Sequence, residues 1–333
     1  MKLDPRLAFR KGTKSSFTRQ YFHMVTSKKR GTTGLSFGPC SVFDIYIYIY
    51  INDIDDVLSS EMLKFADDTK LYRAVTNQDD IEILRSDLVN LCHWSKDWLM
   101  LFNMDKCKTL HIDRGNLNEL YNMEGIPLEA VHEKGDLGIM ITKDLKCSKQ
   151  CLNAAKAANK ILGMVKRTFT CKCEEIILQL YKSLVRPRLE YCIQAWCPHL
   201  RKDIDLLEKV QSRATRLIYS LHDLPYYDRL NRLKLTTLVT RKVRGDLVEV
   251  FKIIKGLKKW ILTFFLKIAS STNLRGHSLQ LYKHNLRLAT RKYFSAQRVI
   301  DMWNKLDNDV IACHTVSTFK KHLDHYIFNQ GLI

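Results

Sequence analysis

Two adjacent aspartates, Asp67 and Asp68, sit in the stretch KFADDTKLY (Lys64–Tyr72) between short apolar runs. No other feature constrains the local fold as tightly. Met62–Phe65 and Leu71–Val75 read as two short strands, and Ala66–Lys70 is a connection of hairpin size. Two carboxylates side by side at such a tip serve either as a solvated turn or as a metal site.

The pattern predicts a helix next. Asn77 stands at its N-cap, and Asp79, Asp80 and Glu82 fill the first turn, where negative charge is favoured. Ile81, Leu84, Leu88, Leu91 and Trp98 keep helical spacing. LMLFNMDKCKTLHI (Leu99–Ile112) reads as a turn into a further strand, and KGDLGIMI (Lys134–Ile141) as a glycine-containing hairpin. From Ser148 the pattern turns helical. Helices are expected over Ala154–Phe169, then over Glu174–Val185, stopped before Pro187. Asp203–Leu221 follows, with Leu206, Leu207, Val210, Ala214, Leu217 and Ile218 as its apolar stripe. Tyr227–Leu233, Thr237–Lys255 (closed by Gly256) and a last helix near Thr315–Ile327 complete the series. The expected fold class is therefore α+β: hairpins and helices first, mostly helix afterwards. Ahead of the aspartates, FDIYIYIYIND (Phe43–Asp53) alternates like a two-faced strand. A translated TA dinucleotide repeat gives the same alternation, which points to sequence drift.

Charge is segregated along the 333 residues. Residues 1–50 carry 9 basic and 2 acidic side chains, 51–150 carry 12 and 19, 151–220 carry 13 and 6, and 221–333 carry 20 and 8. An acidic island around the aspartates is thus flanked by basic sequence, the distribution a polynucleotide enzyme needs. The ten cysteines form no paired CxxC framework of zinc spacing; Cys171-Lys-Cys173 and Cys192…Cys197-Pro-His199 read better as reduced intracellular thiols. No apolar run approaches the roughly 20 residues of a spanning helix, and the N-terminus lacks the apolar core of a signal peptide. The expectation is a protein that is neither secreted nor membrane-bound.

These blocks, in this order, resemble a known family. KFADDTKLY, then WLMLFNMDKCKTLHI, then KGDLGIMIT look like the palm of a reverse transcriptase from a LINE-type non-LTR retrotransposon of the Jockey and chicken-repeat kind. LYKSLVRPRLEYCIQAWCPHLRKDIDLLEKVQSRATRLI is similar to the thumb of the same proteins. RGDLVEVFKIIKG and RGHSLQLYKHNLRLATRKYFSAQRVIDMWNKL resemble their C-terminal segment. The resemblance runs from about Val42 onward. It implies a fingers remnant over residues 1–30, poorly ordered; a partial palm over 31–147; a helical thumb over 148–222; and a basic, mainly helical region over 223–333.

The resemblance also implies roles. Asp67 and Asp68 become the hairpin carboxylates that hold Mg²⁺ (or Mn²⁺) for nucleotidyl transfer. Ala66 is small so that the hairpin can approach the primer end. Lys106 becomes a proton donor or phosphate contact, and Leu137 and Gly138 the primer-grip hairpin. Lys166, Arg167, Arg186 and Arg188 become contacts to an RNA·DNA duplex of RNA template and DNA primer. Tyr191, Trp196, Trp260 and Trp303 offer stacking surfaces, with ordinary core packing as the alternative. No small-molecule cofactor is expected.

The sequence departs from the family at a critical point. The family's palm needs a further aspartate on an upstream strand, in a block with a second F-D, and no such block is present. LAFRKGTKSSFTRQYFHMVTS (residues 7–27) looks like a worn fingers segment, and GTTGLSFGP (residues 31–39) like a worn nucleotide-binding block. An internal deletion near Ser27–Gly31, or a splice joining two pieces, accounts for the gap. Asp44 falls in the wrong register to replace the lost ligand, and Asp53 reads as a turn or cap residue. The expectation is a degenerate RNA-directed DNA polymerase without activity. The alternatives are a non-enzymatic nucleic-acid-binding remnant and a functionless relic. The family works in the nucleus, with the cytoplasm as the other location. Its endonuclease domain, which precedes the polymerase, is not seen, as N-terminal truncation would explain.

Overall fold

The computed structural model describes residues 22–28, 53–65, 68–113, 115–257, 266–269, 276–287 and 292–329. The remainder of the fingers segment, the glycine-containing block of residues 31–39, the Tyr/Ile alternation before Asp53, and Asp44, Ala66, Asp67 and Trp260 lie outside the described residues. The chain is a mixed α+β protein that divides into two compact units, Met1–Lys146 and Cys147–Ile333.

The first unit is built on a five-stranded sheet of order β2-β3-β1-β4-β7. Its strands are β1 (Phe22–Lys28), β2 (Glu61–Phe65), β3 (Asp68–Ala74), β4 (Lys108–Ile112) and β7 (Glu129–Val131). All neighbours run antiparallel except β4 and β7. Two small hairpins complete it: β5 (Asn122–Met123) with β6 (Ile126–Pro127), and β8 (Glu133–Asp136) with β9 (Ile139–Thr142). Residues 22–28, read in sequence as part of a fingers segment, form the middle strand of the sheet.

Helix α1 (Gln78–Asp97) begins where the cap pattern places it: the Asn77 side chain accepts the Asp80 N–H at 2.9 Å. Ile81, Leu84, Leu88 and Leu91 are buried against Met62 and Leu71 of the hairpin strands. Trp98 departs from the expected stripe. It falls at the C-cap, where the helical spiral ends, and is 45% exposed, while Trp94 is buried and donates its indole N–H to Asp53 at 3.2 Å. Asp53 also accepts the Asp56 N–H in a turn.

The second unit is helical: α2 (Ser148–Thr168), α3 (Glu174–Leu180), α4 (Arg186–Glu190), α5 (Ile193–Trp196), α6 (Arg201–Arg216), α7 (Tyr226–Arg232), α8 (Leu238–Ile254), α9 (Ser295–Arg298), α10 (Ile300–Asn304), α11 (Asn308–Ile311) and α12 (Val316–Asn329). Pro187 does not stop the chain as expected. A widened π turn over Tyr181–Val185, with the Arg186 N–H on the Tyr181 carbonyl, carries α3 into α4, and Pro187 sits in the first turn of α4. A proline needs no N–H partner there, and widening the preceding turn relieves its clash with the backbone. Helices α2 and α6 pack together, and Leu207, Val210, Ala214 and Ile218 form the buried part of the α6 stripe; Leu206 and Leu217 are half-buried. Farther along, Phe251 of α8 stacks on Phe319 of α12 at 4.1 Å, beside the fully buried Trp303. Thr237 caps α8 and Gly256 follows it with φ +73°, a value glycine tolerates best.

Candidate nucleic-acid interface

The hairpin end is fixed from behind. Asp87 on α1 is buried, and its two carboxylate oxygens accept the Ser59 and Ser60 N–H groups, each at 2.8 Å. That grip sets the entry into β2. Phe65 pairs with Asp68 at the end of the β2–β3 ladder. Asp68 is half-buried and shares its face of β3 with Lys70 and Tyr72, since strand side chains alternate.

The strand beside β3 is β1, with Lys28 opposite Asp68 and Ser27 opposite Thr69. Its sequence, FHMVTSK, contains no carboxylate. Among the described residues, Lys134, half-buried on β8, interacts electrostatically with Asp68. Burial and the neighbouring Lys108 pull the Lys134 ammonium below its ordinary value, and the negative charge of Asp68 opposes them. Lys134 also donates to the Lys106 carbonyl at 3.2 Å. Lys106 ends a 3₁₀ turn, Met104–Lys106, and is exposed. Lys70 is buried and ion-paired with Asp136 on β8. Leu137 and Gly138 form the two-residue turn of the β8–β9 hairpin, with φ +46° and +80°. The described residues here do not fit a two-metal centre. Asp68 lies within electrostatic reach of Lys134, and among the described residues the one cluster of three potential metal ligands is Cys147, Cys151 and Asp203, in the second unit.

The second unit carries a different site. Lys166 at the end of α2 lines an open cleft of about 520 Å³ with Lys172, Arg213, Arg216, Tyr219 and His222. Asn159, Leu162, Gly163 and Leu217 complete the lining, which contains no carboxylate. Lys166, Arg213 and Arg216 are exposed. Arg213 donates to the Asn159 side chain at 3.2 Å, which holds its fork over the cleft. The Lys172 ammonium lies 5.3 Å from the centre of the Tyr219 ring, and that ring is 70% exposed. Cations in a concave wall, with an accessible aromatic face, match the chemistry of a phosphate backbone and an unstacked base.

The remaining sequence-derived contacts divide. Arg167 is exposed next to Lys166 but does not line the cleft. Arg186 is half-buried and faces Glu190 at 3.9 Å; Glu190 in turn takes a two-pronged pair from Arg241 at 2.5 and 3.1 Å. Arg186 therefore belongs to an internal ion-pair group. Arg188 is exposed on a separate, mostly apolar cleft with Ile161, Leu184 and Tyr191. Trp196 and Trp303 are core residues: their indole N–H groups donate to the Tyr191 and Leu279 carbonyls at 2.7 and 2.8 Å. Tyr191 is 54% exposed. The sequence reading missed Lys172, Arg213, Arg216 and Tyr219. Arg213 and Arg216, three apart and off the apolar stripe of α6, were the available signal.

Among the described residues no helix is long and apolar enough to cross a membrane. No protein-family model and no curated protein matches the chain.

Proposed function

We propose that the chain is a degenerate RNA-directed DNA polymerase of a LINE-type non-LTR retrotransposon, unable to extend a primer, that still holds an RNA·DNA duplex. In this reading the first unit is what remains of a palm, residues 148–222 act as a thumb, and residues 223–333 form a basic helical tail. The workplace is the nucleus, where such elements copy RNA. The ordered run of sequence blocks supports the descent. The strand beside β3, whose sequence FHMVTSK places no carboxylate across from Asp68, supports the loss of Mg²⁺-dependent chemistry. The observation that carries the retained function is the carboxylate-free basic cleft around Lys166, Arg213 and Arg216.

The test is primer extension on poly(rA)·oligo(dT) with Mg²⁺ or Mn²⁺, run beside a gel shift of the same duplex. Salt-sensitive binding without extension is the expected result. Extension that disappears in an Asp67→Ala, Asp68→Ala double variant would overturn the loss of activity. Absence of both binding and extension would leave a relic without function.

A further inference from the structure

The described residues of the second unit contain a group of side chains that the nucleic-acid reading does not use. Cys147 is the N-cap of α2, Cys151 lies one turn into that helix, and Asp203 lies in the first turn of α6. The two sulfur atoms and a carboxylate oxygen all lie within 4.8 Å of one another. Around a tetrahedral zinc, with Zn–S about 2.3 Å and Zn–O about 2.0–2.2 Å, ligand atoms stand roughly 3.5–3.8 Å apart. Small side-chain movements would close the group on an ion.

Burial sharpens the point. Cys151 is fully buried and Asp203 is 4% exposed. Among the described residues no lysine, arginine or histidine pairs with Asp203; the Ser148 hydroxyl donates to it at 2.6 Å. A buried carboxylate with one neutral donor is a poorly compensated charge. A divalent cation would compensate it, and Ser148 would then orient the ligand. Cys197 adjoins the group: its carbonyl accepts from the Cys147 thiol at 3.5 Å, and its own thiol, also buried, donates to the Pro198 carbonyl at 3.3 Å. His199 is turned to Tyr293, ring over ring at 4.2 Å, and is not a member.

We propose that Cys147, Cys151 and Asp203 form a zinc site that ties the first turn of α2 to the first turn of α6, with Cys197 or water in the fourth position. Binding releases the two thiol protons to solvent and leaves a Zn²⁺ bis-thiolate carboxylate centre. No redox partner is needed. The role is structural, because Cys151 and Asp203 are buried between the helices and the ligands bridge 56 positions of chain between Cys147 and Asp203.

The experiment is titration of the reduced, metal-stripped full chain with Co²⁺, read by the thiolate-to-cobalt and d–d absorption bands, then by displacement with Zn²⁺. One equivalent with tetrahedral bands is expected, together with a raised unfolding temperature. Cys147→Ser with Cys151→Ser should abolish the thiolate bands, and Asp203→Asn should weaken Co²⁺ binding at least tenfold while the fold is kept. Cys197→Ser reports the fourth ligand: a lost thiolate contribution assigns Cys197, and an unchanged one assigns water. No tetrahedral cobalt spectrum in the wild-type chain would overturn the site. So would bands that survive the Cys147/Cys151 change and vanish instead in Cys171→Ser with Cys173→Ser, the exposed pair elsewhere in the unit.

Discussion

Lys28 stands directly across from Asp68, in the antiparallel pairing of β1 with β3. Facing positions on an antiparallel pair are the closest cross-strand neighbours, and the β1 position that faces Asp68 is a lysine in the sequence, not a second carboxylate that could share a metal. Lys28→Asp should therefore strengthen Mn²⁺ binding at this end of the sheet about tenfold or more, seen by the loss of the free Mn²⁺ electron-resonance signal. An unchanged titration would mean that Lys28 is not what denies Asp68 a metal.

Leu137 holds φ +46° at the first position of the β8–β9 turn, followed by Gly138 at +80°. A two-residue turn with both φ values positive favours Asn-Gly, and a leucine in the left-handed region costs about 1 kcal/mol. Leu137→Asn should raise stability by roughly 0.5–1 kcal/mol in urea unfolding. A loss of stability would show that the leucine side chain contributes more than its backbone strain costs.

Asp80 links the start of α1 to β3. Partial burial pushes its carboxyl up, but hydrogen bonds from the Thr76 N–H and hydroxyl, and the Arg73 guanidinium, outweigh that and hold it below its ordinary value. A depressed folded-state value stabilises above the unfolded value of about 3.9 and is lost as pH falls through the folded one. Asp80→Asn should thus cost stability at pH 7, and its deficit should shrink as the pH is taken below about 4. A deficit that stays constant down to pH 2.5 would contradict the linkage.

Glu208 ties three elements of the second unit together. It accepts the Tyr226 hydroxyl at 2.6 Å and the Leu238 N–H, at the start of α8, at 2.6 Å. Gln211 extends the chain to Tyr226 at 2.9 Å and accepts the buried Tyr181 hydroxyl at 2.5 Å. Glu208→Ala leaves the Tyr226 hydroxyl and the Leu238 N–H without this acceptor and should destabilise by about 2–3 kcal/mol in equilibrium unfolding. A change below about 0.5 kcal/mol would place the network outside the folding unit.

What the sequence disclosed depended on whether the signal was local. The cap of α1, the hairpin around Asp68 and the glycine after α8 are each written within a few residues, and the corresponding elements stand in the structure. Trp98 misled because helical spacing was extended one step past the end of its helix. Pro187 misled because a widened turn can carry a helix into a proline. Of the charged and aromatic groups that line the basic cleft, the sequence reading named one. Lys166 was named, but Lys172, Arg213, Arg216 and Tyr219 come from separate segments that only folding brings to one wall. Cys147 and Cys151 stand one helical turn apart and were a local signal, but Asp203, 52 positions beyond Cys151, is brought to them only by folding.

The salt dependence of RNA·DNA duplex binding tests the central claim most directly. Fluorescence anisotropy would give the affinity of the full chain across a range of potassium concentrations, beside a variant with Lys166, Lys172, Arg213 and Arg216 all changed to alanine. Each lost phosphate contact flattens the log–log slope by about 0.9 for a B-form duplex. The account predicts a steep slope for the wild-type chain and one flatter by roughly 3 to 4 for the variant. Equal slopes for the two proteins would contradict it and remove the cleft from any role in holding nucleic acid.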